Sequence, residues 1–247
     1  MSRVGKHGVS SATPQNILFG AGTIHKNLVY SGTDVYTLTS DATFVAGKTY
    51  YTRSGSSPDY VYTATTQNVG ASVTSNTYYE KTITSGSWNF DASIIGATSG
   101  GSKFTIQPEI SNVEIDGALV KAKGLSDVKT GETASLEINF AELNSDLIKM
   151  AVIGSDGVSA DSSYDLIESK AQIAAGDYLN NIAFVGSTLS GTKIIVILDN
   201  ALCTSGLELE GKNKEAGVVT MTFECYAPLS GDLDTLPYHI YYPSTSA

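Results

Sequence analysis

The sequence predicts a mainly β protein, an antiparallel β-sandwich or barrel with one flanking α-helix and a small β insertion. Three observations carry that expectation. Apolar and polar residues alternate over several short runs, which is the period of a strand with one buried face. Only one stretch shows a helical period. Gly, Thr, Ser and Tyr are abundant while charged residues make up 16%, a mix that suits short strands and turns better than surface helices.

The elements follow in order. In ASLEINF, Leu136, Ile138 and Phe140 alternate with Ser135, Glu137 and Asn139, as in a half-buried antiparallel strand. Val113 to Ile115 is a shorter alternating run ending in the turn pair Asp116-Gly117. Ile194 to Leu198 is a continuous apolar run, suited to a central strand covered on both faces. Residues 218–226 alternate again, with Val219, Met221, Phe223 and Cys225 on one face, and Tyr238–Tyr242 forms a last strand. The helix lies in LNSDLIKMAVIG. Asn144 or Ser145 caps it, Asp146 favours the positive end of its dipole, Leu147, Ile148, Ala151 and Val152 make an apolar stripe, and Gly154 ends it.

Residues 33–85 differ from their surroundings. They hold seven of the fourteen tyrosines and two near-copies of one pattern, with Val-Tyr-Thr at 35–37 and 61–63 and Thr-Tyr-Tyr at 49–51 and 77–79. The copies predict a duplicated pair of short β units packed against each other. Turn-rich clusters at 31–33, 53–59 and 84–87 bound or divide the segment. Removing it joins LVYSG (28–32) to GSWNFDASIIG (86–96), so the expected organisation is a core of 1–32 and 86–247 with 33–85 inserted.

The net charge is −10. The insertion has four acidic and three basic side chains, leaving −9 on the remainder. Gripping DNA means neutralising phosphates with Lys and Arg, so an acidic surface lies beside DNA without binding it. Cys203 and Cys225 read as free thiols. MSRVGKHGVSSATPQN has no apolar stretch and does not read as an export signal. The longest aliphatic run is far too short for a membrane helix.

Catalytic patterns are missing. His7 and His25 fall in an N-terminal arm and His239 lies far from them, and no serine elbow, P-loop or zinc helix motif occurs. GATSGGSKF (96–104) lacks Walker spacing and reads as a flexible loop. The acids of 156–165 are too widely spaced for an EF-hand and have no closing Glu, so that segment reads as a solvated loop, as does the Asp232/Asp234 pair. No enzyme, cofactor or metal site is expected.

The stretch NILFGAGTIHKNLVY (16–30) resembles the opening of the major tail tube proteins of tailed bacteriophages and prophages of Gram-positive bacteria. The segment from GATSGGSKFTIQPEI (96–110) to ASLEINFAEL (134–143) is similar to that family's central block, and the helix follows in the same order. The resemblance excludes 33–85, which compact members lack. It implies a β-sandwich subunit that self-assembles into stacked hexameric rings, a hollow tube through which DNA passes without specific binding. Implied partners are further copies of the chain and the tape-measure and tail terminator or baseplate proteins. The implied location is the virion tail, assembled in the host cytoplasm, with no membrane involved.

Under this reading a negatively charged lumen lets DNA slide. Acids on predicted strands, namely Glu114, Glu137, Glu208, Glu210 and Glu224, are the candidates for the wall. The 96–103 loop, the 156–165 loop and the N-terminal arm are candidates for ring-to-ring contacts. A different class of function is an adhesin that binds host-surface carbohydrate through exposed Tyr50, Tyr51, Tyr78 and Tyr79, since tyrosine rings stack on sugars. Against it, tyrosine and threonine are also good strand formers.

Overall fold

The computed structural model describes residues 13, 17–113, 116, 120, 127–211, 213, 217–229 and 236–244. Along them run β1 (Leu18–Lys26), β2 (Tyr30–Leu38), β3 (Tyr50–Ser54), β4 (Val61–Thr65), β5 (Tyr78–Trp88), β6 (Thr98–Asn112) and β7 (Asp127–Phe140). The helix α1 (Ser145–Val152) comes next, then β8 (Gly154–Asp156), β9 (Ile167–Ser169), a 3-10 turn (Ala175–Asp177), β10 (Leu179–Thr188), β11 (Lys193–Cys203), β12 (Val219–Glu224) and β13 (Tyr238–Tyr241). The chain is mainly β with antiparallel pairing throughout and one α-helix among the described residues. It divides into two units. One holds the chain up to Leu28, Asp91–Ala227 and the C-terminal segment, and the other holds Val29–Phe90, with Pro228 and Leu229 grouped with it.

The larger unit is built on β11, which belongs to two sheets. Its first part pairs β10 on one side, through Ile182↔Leu198 and Phe184↔Val196, and β13 on the other. Its last residues, Leu202 and Cys203, pair β12 instead. The sheets are therefore β1-β10-β11-β13 and β11-β12-β7-β6, and one strand passes from the first into the second as at the corner of a sandwich. Ile24, Ile182, Phe184, Val196 and Leu198 from the first meet Leu136, Ile138, Phe140, Val219, Met221 and Phe223 from the second, and Leu147 and Ala151 of α1 join them. At about 1.5–3 kcal/mol per buried aliphatic or aromatic side chain, this cluster is the main favourable term of the unit.

The alternation read in β7 and β12 places its apolar members in that core, and β11 is buried on both faces from Ile195 to Leu198. Cys225 lies one residue past β12, half-buried, and both cysteines are free.

Asn144 caps α1, its side chain accepting from the Leu147 amide at 2.9 Å. Gly154 does not end the helix. Ile153 adopts the left-handed conformation, φ 49° and ψ 55°, and Gly154 already starts β8. A β-branched residue is a costly choice there; its amide donates to Lys149 O and its carbonyl accepts from the Lys170 amide at 3.1 Å, beside the β8–β9 pairing.

Two further expectations change. The segment 98–103 is strand, not loop: Gly100 and Gly101, at φ 82° and 86°, form a bulge that breaks the polar–apolar alternation without breaking the strand. His25 is not in a loose arm but lies in β1, 1% exposed. Val113 lies just past the end of β6 at Asn112, and residues 114 and 115 of the expected run lie outside the described residues.

The smaller unit is one four-stranded sheet in the order β2-β5-β3-β4. Its limits are wider than 33–85, since Tyr30↔Trp88 and Ser31↔Ser87 belong to the β2–β5 ladder. The first copy of the repeat supplies β2 and β3 and the second supplies β4 and β5. Tyr51 lies opposite Tyr79 at the centre, flanked by Tyr50↔Glu80 and Thr52↔Tyr78. Outside them, Tyr36↔Lys81 in one ladder corresponds to Tyr62↔Arg53 in the other, and Leu38↔Tyr79 to Ala64↔Tyr51. The Phe44 amide donates to Ala71 O while the Val73 amide donates to Ala42 O, both at 2.9 Å. The two copies are related by a local two-fold axis between Tyr51 and Tyr79.

Candidate functional site

One face of the β6–β7–β12 sheet carries no apolar side chain in its centre. Lys103, Glu137 and Thr222 form one row across it, and Thr105, Ser135 and Glu224 the next. Gln107 sits beside Thr133, and Asn139 beside Thr220. The opposite faces of β7 and β12 form the sandwich core, so strand periodicity alone puts these residues outward. Thr220 Oγ1 donates to Asn139 Oδ1 at 2.7 Å, Asn139 Nδ2 to Gly101 O at 3.2 Å, and Thr204 Oγ1 to Glu224 Oε1 at 3.3 Å.

Of the five acids expected on a wall, Glu137 and Glu224 are brought together on this face. Glu208 and Glu210 are exposed but lie in the segment after β11, outside any strand, and Glu114 lies outside the described residues. The sequence reading missed Glu109 and Lys103 on the same face. Glu109 lies opposite Gly131 and Lys103 opposite Glu137. Reading 98–112 as one strand would have found both. With three acids and one lysine, the face carries a net −2.

The β6–β7 hairpin continues beyond the core. Pro108 to Asn112 pair with Asp127 to Glu132. Along 107–112 and 127–130 both faces are exposed, including Ile110 at 63% and Val128 at 47%. At its base, Glu132 takes an ion pair from Lys129 and a hydrogen bond from the Tyr238 hydroxyl at 3.4 Å. Burial is the first cause of the raised Tyr238 pKa, with the Glu132 charge second.

A cleft of about 560 Å³ is lined by Gly22, Thr23, Ile94–Thr98, Glu142 and Asn144. Its polar groups serve the fold. Thr23 Oγ1 meets His25 Nε2 at 2.8 Å, Glu142 accepts from the Ala97 amide, and Asn144 caps α1. Behind the cleft, His25 Nδ1 meets Ser93 Oγ at 2.8 Å. His239 lies elsewhere, its Nε2 2.9 Å from Asp199 Oδ2, and burial raises the Asp199 pKa while the imidazole opposes that shift. Among the described residues no group of His, Cys, Asp and Glu could hold a metal ion, and no helix is long and apolar enough to cross a membrane.

The tyrosines of the smaller unit face both ways. Tyr36, Tyr51, Tyr62 and Tyr79 share one face with Arg53 and Lys81. Tyr36 packs edge-on to Tyr51 at 5.2 Å, Tyr62 edge-on to Tyr79 at 5.2 Å, and Arg53 lies over the Tyr60 and Tyr79 rings. On the other face Phe44 packs edge-on to both Tyr50 and Tyr78 at 4.9 Å. Of the four rings expected at the surface, Tyr50 is 2% and Tyr79 7% exposed, and Tyr51 and Tyr78 are half-buried. These rings are the unit's core, a role that leucine and isoleucine fill elsewhere. Beneath Tyr50, its hydroxyl donates to Asp41 at 2.6 Å, and Lys48 bridges Asp41 at 2.9 Å and Glu80 at 3.2 Å. The Tyr50 hydrogen bond, then Lys48, hold the Asp41 carboxyl below the usual aspartate value.

No family model matches the chain, and no curated protein is significantly similar to it. The fold defines its class as a mainly β protein built on antiparallel sheets with one helix.

Proposed function

We propose that this chain is a structural, non-catalytic subunit that assembles into stacked hexameric rings, forming the hollow tail tube of a phage or prophage particle. In this reading the tube conducts DNA on ejection and ends on tape-measure and terminator or baseplate proteins. The observation that carries it is the β6–β7 ribbon, exposed on both faces beyond the core. A two-stranded ribbon is marginal by itself in water. Ile110 and Val128 gain from burial against a neighbour, and a head-to-tail contact of that kind closes into rings. The polar face with Glu109, Glu137 and Glu224 supports a wall that repels phosphate. The sequence resemblance supplies the ring symmetry and the partners. The N-terminal arm proposed for ring stacking lies outside the described residues.

Negative-stain microscopy of the concentrated protein tests the reading. Rings or tubes are expected, and Ile110→Asp with Val128→Asp reduces them to single subunits. Small particles alone from the unaltered chain would overturn it. Carbohydrate binding through the tyrosines loses support, because the rings pack on one another.

A further inference from the structure

Every backbone ladder in the smaller unit joins one repeat to the other. β2 of the first pairs β5 of the second, β5 pairs β3 of the first, and β3 pairs β4 of the second. No ladder lies within a repeat. The isolated bridge Thr43↔Ser72 and the reciprocal Phe44–Ala71 and Val73–Ala42 hydrogen bonds also cross from one repeat to the other. Ring packing follows the same rule in part, since Tyr36 stacks on Tyr62 and Phe44 meets Tyr78. Taken alone, either repeat has two strands with nothing between them and lacks the ring contacts that cross from Tyr36 to Tyr62 and from Phe44 to Tyr78.

From this we infer that the two repeats are complementary halves that exchange between chains once the 55–60 turn no longer holds them in one chain. The partner that the 29–90 unit fits is a second copy of itself, with β2–β3 of one chain completing β4–β5 of the other. The same registers are satisfied in cis or in trans, because a second chain supplies an identical complementary half for every ladder. What keeps the halves in cis is the connection between β3 and β4. Ser54 lies opposite Val61, and the chain reverses through residues 55–60. Exchange of an identical element through such a hinge adds no new interface and therefore has a low cost. The inference rests on the registers of this sheet alone and holds whether or not the larger unit builds a tube.

The test uses the full chain with residues 55–60 deleted. Ser54 and Val61 then become consecutive, the hairpin cannot turn, and β3 runs on into β4. One batch carries Thr33→Cys and a second carries Thr84→Cys, at positions paired in the β2–β5 ladder and exposed on both strands. The batches are mixed, refolded and oxidised. The expected result is a disulfide between the two chains, a shift to twice the chain mass on a non-reducing gel, with tyrosine near-UV circular dichroism retained. The same cysteines in chains that keep 55–60 give no such band, and neither does the deleted chain without added cysteines. Absence of the link in the deleted chain overturns the inference, as does loss of the tyrosine signal. An equal link with 55–60 present also overturns it, since simple neighbourhood would then explain the bond. As a second variant, a protease site placed within 55–60 of the full chain allows nicking. Nicked halves that stay together and swap with a tagged nicked copy support exchange. Halves that separate, or that never swap, overturn it.

Discussion

The ring of Tyr36 lies flat on that of Tyr62, with centroids 3.9 Å apart and planes 2° from parallel, although the two residues sit on opposite edge strands of their sheet. Each reaches over the central pair and meets its neighbour, Tyr51 or Tyr79, edge-on. The outer strands thus close over the inner ones through four rings related by two-fold symmetry.

That symmetry predicts matched penalties. Tyr36→Ala and Tyr62→Ala each lower the stability of this unit by about 2–3 kcal/mol, discounted from full aromatic truncation because both rings are only half-buried. Their double-mutant cycle gives a coupling of about 0.5–1.5 kcal/mol, as for other aromatic pairs. Urea unfolding followed by tyrosine near-UV circular dichroism measures both. Unequal single penalties would contradict the symmetry.

Acid weakens the same unit through Asp41. Its folded pKa is lowered from the ordinary 3.8, first by the Tyr50 hydroxyl and next by Lys48. A carboxylate with a depressed folded pKa contributes stability that is complete above the unfolded value and lost as pH falls through the folded one. Asp41→Asn should therefore flatten the decline of the urea midpoint between roughly pH 5 and 2. A carboxylate NMR titration of Asp41 ending at the unperturbed value would refute this.

How much of this was legible depends on periodicity. Leu136, Ile138 and Phe140, or Val219, Met221 and Phe223, announce a face because nothing interrupts their alternation. Gly100 and Gly101 interrupt theirs, so a strand reads as a loop, and Lys103 and Glu109 vanish from the polar face. In Thr-Tyr-Tyr, two identical neighbours point to opposite sides, and the sequence has no sign of which is covered. Tyr50 ends up beneath Phe44 and Tyr79 beneath Tyr62. His25 carried no signal at all, since its partner Ser93 is far along the chain.

His25 ties β1 to the segment before β6. His25→Ala removes the bonds to Thr23 and Ser93 and leaves space in a filled site, so the larger unit loses about 2–4 kcal/mol. His25→Phe retains volume but not the bonds and recovers only part of the loss. Thermal unfolding followed by far-UV circular dichroism of both variants decides this, and a neutral His25→Ala would refute it.

Excision separates the two units. The Lys26 amide donates to Ser93 O at 2.8 Å, and the Val29 carbonyl accepts from the Asn89 amide at 3.0 Å, so the chain leaves and returns along adjacent paths. Joining Leu28 to Asp91 should leave the larger unit within about 1 kcal/mol of its original stability. Cutting only 33–85 strands Tyr30 against Trp88 on a stub and should aggregate more. Differential scanning calorimetry and light scattering compare the two, and an unfolded 29–90 deletion would contradict the division.

The reciprocal ladders also constrain how such a gene can change length. A repeat added by unequal recombination brings one half with no complement, and its strands offer open edges that invite aggregation. Two added together close on each other. Viable length variants of this segment should therefore differ by an even number of repeats, a parity rule written into the reading frame by the pairing of Tyr51 with Tyr79.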